Sequence, residues 1–166
     1  MSSFKLRPAR TSDVAEIRRL VAPLADTRVL LEKEAVAYFE SLQQFRVAED
    51  DDGNVVGCGA LHVMWDDIAE VRTLVTDKPG SGVGHALLEQ LLADARDIGV
   101  QRVFCLTFEV DFFARHGFEV MANQAAVDPE VYSELLRSTD EGVAEFLDLA
   151  RVKPNTLGNT RMIRNL

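Results

Sequence analysis

Apolar positions along the first half of the chain switch between a helical period and a strand period. Val14, Ile17, Leu20, Val21 and Leu24 are spaced three, three, one and three apart, which is one face of a helix. Ahead of them Thr11-Ser12-Asp13 offers capping side chains, with Glu16 placed as in a capping box. Phe4 to Arg7 reads as a short edge strand stopped by Pro8. A second helix is predicted over 32–43, with Ala35, Val36, Phe39 and Leu42 inward. Phe45–Glu49 and Val55–Val63 read as strands joined through the turn Asp50–Asn54, a β-hairpin. Glu70–Thr76 alternates weakly but is rich in β-branched residues, so it is expected to be a central strand.

The loop Asp77-Lys78-Pro79-Gly80-Ser81-Gly82-Val83-Gly84 follows, then a helix with Leu87, Leu88, Leu91, Leu92, Ala95 and Ile98 inward and Gly99 at its C′ position. Val103–Leu106 is wholly apolar, as in a buried strand. Asp111–His116 reads as a helical turn ending at Gly117, and Phe118–Met121 as a strand. Pro129–Arg137 and Asp140–Ala150 read as short helices, and Asn159–Ile163 as a last strand. Strands interleaved with helices predict an α/β layered domain. At 166 residues the chain is expected to be a single domain, 1–166.

Charge narrows the function. Lys and Arg number 18 against 27 Asp and Glu, a formal −9. Such a surface repels phosphate backbones, so nucleic acid is excluded as a partner. No apolar run is long enough to span a membrane, and the N-terminus lacks the apolar stretch of a signal peptide. Cys58 and Cys105 lie far apart in apolar runs and read as reduced, buried thiols of a cytoplasmic protein. His62, His85 and His116 share no metal-ligand spacing along the chain, so no metal is expected.

The strongest chemical signal is strand, glycine loop, helix between Glu70 and Ile98. Backbone N–H groups at a helix N-terminus favour a bound anion, which suits a pyrophosphate. The loop fails as a Walker A motif because Gly84 precedes His85-Ala86, and as a Rossmann fingerprint because Leu87 stands where the third glycine belongs.

Val71-x-x-Leu74-Val75 with Gly80-x-Gly82-Val83-Gly84, and Phe112-Phe113-Ala114-Arg115-His116-Gly117-Phe118, resemble two motifs of the GCN5-related N-acetyltransferases. The order of elements over about 4–121 is similar to that fold, a central mixed twisted sheet with helices on both faces. Val56–Leu61, Ala69–Leu74, Leu106-Thr107-Phe108 and the tail Glu145–Leu149, Val152–Asn155 and Leu157–Met162 resemble the short, stand-alone amino-acid N-acetyltransferases of the N-acetylglutamate synthase type. Departures are Pro79, where the family usually carries Arg or Gln, a loop one residue short, and phenylalanines at 112 and 113 where many relatives place a tyrosine.

The resemblance implies transfer of the acetyl group of acetyl-CoA to the α-amino group of L-glutamate, the first step of arginine biosynthesis. Glutamine or another small amine is the alternative acceptor, and a non-catalytic acetyl-CoA sensor is the alternative of another class. It implies no metal. It places Leu74, Val75, Lys78, Gly80, Ser81, Gly82, Val83, Gly84, His85, Phe112 and Phe113 around the cofactor, with the Val75 N–H on the thioester oxygen. Glu70 would orient a water that takes the amine proton. Lys33, Arg72, Arg28 and Arg161 are the candidate cations for the acceptor's carboxylates. The segment 122–166 would cover the acceptor site or form the interface of a homodimer.

Overall fold

The computed structural model describes residues 3–26, 33–122, 126–147 and 158–166. Its elements are β1 (Phe4–Pro8), α1 (Val14–Asp26), α2 (Ala35–Glu40), β2 (Phe45–Asp50), β3 (Val55–Val63), β4 (Ile68–Thr76), α3 (Val83–Asp97), β5 (Arg102–Thr107), α4 (Val110–Arg115), β6 (Glu119–Val120), α5 (Pro129–Leu135), α6 (Glu141–Phe146) and β7 (Thr160–Asn165). The strands form one sheet in the order β1-β2-β3-β4-β5-β7-β6. Among the described strands only β4 and β5 run parallel, so the sheet is mixed, as expected.

Helices cover both faces. α3 lays Leu88, Leu91, Leu92 and Ala95 against Leu61, Ala69, Val71 and Val103, with Phe113 and Phe118 closing that core. On the opposite face Val14, Ile17, Leu20 and Val21 of α1 pack on Val47, Cys58, Ala60 and Val75. Beside them α5 and α6 cover Ile68 and Phe104 with Leu135, Val143, Phe146 and Leu147.

Local departures from the sequence pattern have physical reasons. The N-terminal box lies three residues earlier than predicted, Arg10 to Asp13 in place of Asp13 to Glu16, because Thr11–Asp13 form a 3-10 turn. Asp13 is buried, accepting the Arg10 N–H at 2.6 Å and two bonds from the Arg7 guanidinium. Pro8 is inside β1, tolerated because β1 is an edge strand. In α2 the buried side chain is Tyr38, and Val36 and Phe39, predicted inward, are exposed, whereas Leu42 packs against the α1 core as predicted. Ile98 is also exposed, because α3 ends at Asp97 and Gly99 turns the chain with φ +92°.

The weak alternation of β4 is a bulge. Val71 and Ala69 face α3. Arg72 lies opposite Ala60 and Val75 opposite Cys58, so β4 carries one extra residue between them. Thr73 holds φ +56°, the one positive φ among described non-glycine residues. The extra residue resets the parity of the strand. Leu74 then packs toward α3, and Val75 enters the α1 core.

Candidate active site

β4 and β5 are neighbours for only three residue pairs, Ile68–Arg102, Ala69–Val103 and Glu70–Phe104. Past that point β5 continues to pair with β7 as far as Thr107, and β4 continues along β3 as far as Thr76. The two central strands therefore diverge, and a cleft opens in the middle of the sheet, where the β4 backbone beyond Glu70 pairs with no strand on that side among the described residues. The Asp77 N–H donates to the Val56 carbonyl at 3.1 Å, and Val75 lies opposite Cys58. The alternation of an antiparallel ladder then aims the Val75 N–H at β3 and that of Thr76 into the cleft. The Val75 N–H, expected to be the oxyanion donor, is thus on the β3 side of the strand.

The glycine loop closes one end. Gly82, with φ +86°, is the N-cap of α3 and has no side chain to cap it. An L side chain resists this left-handed conformation, so glycine is required there. The first intrahelical bond runs from the Ala86 N–H to the Gly82 carbonyl at 3.0 Å. The N–H groups of Val83, Gly84 and His85 accordingly have no acceptor within the helix. Gly80, Ser81 and Lys78 are exposed around them. The loop is pinned from behind by Arg19, whose guanidinium meets Asp77 at 3.1 Å and the Val55 carbonyl at 2.8 Å. Phe112 lies against the Gly84 position, and Phe113 is buried beneath it, stacked edge-on.

At the other end of the divergence sits a charged cluster. Glu70 and Arg72 are two apart on β4 and so share a face. Arg72 Nε donates to Glu70 Oε2 at 2.9 Å, and Nη2 adds a second, shorter bond. The far side of the guanidinium binds both oxygens of Asp140, at 3.0 and 2.9 Å. Asp140 is also the N-cap of α6, accepting the Val143 N–H at 3.1 Å. His62, directly opposite Glu70 on β3, brings Nε2 to 3.5 Å from Asp140.

Burial decides the electrostatics. Glu70 is 4% exposed. Desolvation pushes its carboxyl above the ordinary 4.5, against the pull of Arg72. For Asp140 burial also works upward, but the Arg72 hydrogen bonds and charge prevail and hold it down at about 2. Lys33 lies within electrostatic reach of Arg72, Glu70, Asp140 and Glu141; desolvation, then Arg72, lowers its pKa below 10.5. His62 is likewise lowered, by burial and then by Arg72.

Of the four predicted acceptor cations, Lys33 and Arg72 come together at this cluster. Arg161 does not present a free guanidinium: it donates to the carbonyls of Glu145 and Phe146 at 2.8 and 2.9 Å, tying β7 to the end of α6. Arg28 lies outside the described residues. Tyr38 is buried against Phe45, and Tyr132 packs with the α5–α6 core. Sequence reasoning missed His62, Asp140 and Gly142. The N-cap pattern of Asp140 was legible, but not its reach to a residue 68 positions away. It also missed that His85 and His116, unrelated along the chain, meet at 2.8 Å.

The model of the acetyltransferase (GNAT) family matches residues 14–118. The chain belongs to that family. An amino-acid acetyltransferase of Mycobacterium tuberculosis is 54% identical over 162 residues, covering 95% of this chain and 92% of that one. Amino-acid acetyltransferases of Neisseria meningitidis are 30% identical over 118 residues, 69% of this chain but 27% of theirs. Among solved structures, Mycobacterium tuberculosis Rv2747 in complex with CoA and NLQ superposes with a TM-score of 0.88 at 53% identity, covering 98% of this chain and 99% of that one. N-acetylglutamate synthase of Neisseria gonorrhoeae shares the fold, with a TM-score of 0.77 at 23% identity over 36% of its length. As a GNAT protein the chain is an acyltransferase. The divergence of β4 from β5, the bulge and the glycine loop are therefore to be read as the parts of an acyl-transfer site.

Proposed function

We propose that this GNAT protein transfers the acetyl group of acetyl-CoA to the α-amino group of L-glutamate, opening arginine biosynthesis in the cytosol. One observation carries the reading. The cleft between β4 and β5 joins an uncapped helix N-terminus at one end to a buried carboxylate with two nearby cations at the other. The 53% identical relative in complex with CoA supports the cofactor, and the 54% identical amino-acid acetyltransferase supports the acceptor class.

The acyl-pantetheine arm enters the cleft, with its pyrophosphate on the N–H groups of Val83, Gly84 and His85 and beside Lys78. The acceptor nitrogen attacks the thioester carbon, so a C–N bond forms and the C–S bond breaks. The developing oxyanion takes a hydrogen bond from a β4 backbone N–H that faces the cleft. Glu70, through a water, accepts the proton lost by the amine. A free α-amino group of pKa about 7.7–8.0 is roughly one-tenth neutral at pH 7, so a modest base is sufficient. CoA leaves as a thiolate of pKa about 8.5, which needs no strong acid. The absence of a tyrosine at 112 and 113 is therefore compatible with turnover.

Glutamine is the second reading, and a specific observation favours it. Arg72 is already held by Glu70 and Asp140, which leaves Lys33 to meet a second carboxylate. The test is free-thiol release from acetyl-CoA with a panel of L-amino acids. Release dependent on glutamate supports the proposal, and release with glutamine alone replaces the acceptor. Silence across the panel, with acetyl-CoA binding shown by calorimetry, overturns catalysis in favour of a sensor.

A further inference from the structure

His85, Glu89 and His116 stand apart from the charged cluster, on the outer surface of α3 and at the end of α4. His85 and Glu89 are one helical turn apart on α3, so both side chains leave the same face. His116 is the C-cap residue of α4. One imidazole nitrogen of each histidine and a carboxylate oxygen of Glu89 all lie within 4.8 Å of one another. We propose that these three side chains bind one divalent transition-metal ion, zinc above all, and that the ion clasps α3 to α4.

The chemistry of the set favours such an ion. Two imidazoles and a carboxylate are borderline ligands that suit Zn²⁺, Co²⁺ and Ni²⁺ rather than Ca²⁺ or Mg²⁺. Three protein ligands leave a fourth position for water or an anion. The geometry is also prepared. His116 Nδ1 lies 2.7 Å from the Phe112 carbonyl, which can only accept, so Nδ1 carries the proton. With the proton on Nδ1, the lone pair of Nε2 points outward, toward His85 Nδ1. A backbone carbonyl that fixes the tautomer of a histidine in this way is the usual second partner of a metal-bound imidazole. The Phe112 ring, 4.6 Å from the imidazole centre, holds it in place.

Little movement is needed. With Zn–N distances of about 2.0–2.1 Å, two ligand atoms of a tetrahedral site lie about 3.3 Å apart. The present contact between the two histidines is 2.8 Å. Parting them by about half an ångström, and turning the exposed Glu89 inward, seats the ion. His85 and Glu89 are exposed, so a hydrated ion reaches the site from solvent. The ligands come from two elements that meet only in the folded chain, so the ion binds the native state in preference to the unfolded one and stabilises it.

The test uses untagged, full-length protein stripped with a chelator and titrated with Zn²⁺ by calorimetry, and with Co²⁺ by visible absorption. One equivalent is expected to bind at micromolar or tighter affinity. Co²⁺ should give the intense bands of a tetrahedral site, and excess Zn²⁺ should raise Tm by several degrees. Glu89→Gln and His116→Gln should each weaken binding at least tenfold. Because Glu89 is exposed, its variant reports on the ion without disturbing the core. Millimolar binding by the wild type overturns the proposal. So does equal binding by wild type and both variants, or a Zn²⁺-induced rise in Tm that survives both substitutions.

Discussion

Arg72 Nε donates to Glu70 Oε2 at 2.9 Å from the same face of β4, so the buried carboxylate at the cleft is held by the cation two residues along its own strand. The pair is anchored from outside by Asp140 and covered by α6. Arg72 therefore positions Glu70, and what remains of its charge is shared with Asp140. This arrangement sets the consequences of changing each partner.

Glu70→Gln retains the shape of the side chain and removes its capacity to take a proton. Loss of the proton acceptor is expected to lower kcat by about 10²-fold or more, with the KM for acetyl-CoA little changed. Burial raises the Glu70 pKa above 4.5, so wild-type activity should fall on the acid side as the carboxyl protonates. That acid limb should vanish in the variant. Steady-state rates across pH check both, and an unchanged kcat removes Glu70 from the mechanism.

Asp140 contributes stability with a definite pH dependence. Its carboxyl is held at about 2 in the folded chain against 3.8 for the free group. A depressed carboxylate contributes fully above its unfolded value and loses that contribution as pH falls toward the folded one. The difference in stability between wild type and Asp140→Asn should be constant above about pH 5 and shrink between about pH 4 and 2. Asparagine still caps α6, so the change reports the Arg72 interaction. It also frees one side of Arg72 and should lower the KM for a dicarboxylate acceptor more than for glutamine. Denaturation curves and acceptor kinetics are the measurements.

Gly142 is fixed by close approach. A Cβ there would collide with Glu70 Oε2 and lie 2.7 Å from Arg72 Nη2. Gly142→Ala must push α6 off the pair or break it. Overpacking of this kind costs about 1–3 kcal/mol, and kcat should fall with it. An alanine variant as stable and active as wild type would show that α6 sits farther from β4 than described.

Lys33→Ala tests the acceptor subsite. Removing this cation should raise the KM for glutamate about tenfold or more while leaving that for acetyl-CoA nearly constant. Equal rises for both substrates would place Lys33 outside the acceptor pocket.

The cysteines offer a simple control on the fold. Cys58 is fully buried and its thiol is pushed up to about 12 by desolvation, with Cys105 raised for the same reason. Neither should react with iodoacetamide at neutral pH until the chain unfolds. Mass spectrometry before and after denaturation reads the result.

Periodicity along the chain determined the helices α1 and α3, the β2–β3 hairpin, the buried β5 and the glycine loop, because each depends on neighbours within a few residues. Composition and charge argued against a nucleic-acid partner, and motif spacing pointed to the family. Tertiary structure decided the rest. The extra residue at Thr73 breaks the alternation of β4, so the pairing with β3, not the sequence pattern, sets which way the Val75 N–H points. Tertiary packing exposed Val36 and Phe39, and the end of α3 at Asp97 exposed Ile98. The meetings of Arg72 with Asp140, and of His85 with His116, join residues 68 and 31 positions apart. Local pattern carries no record of such distances, because the burial and partnership that give these groups their chemistry exist only after the sheet has formed.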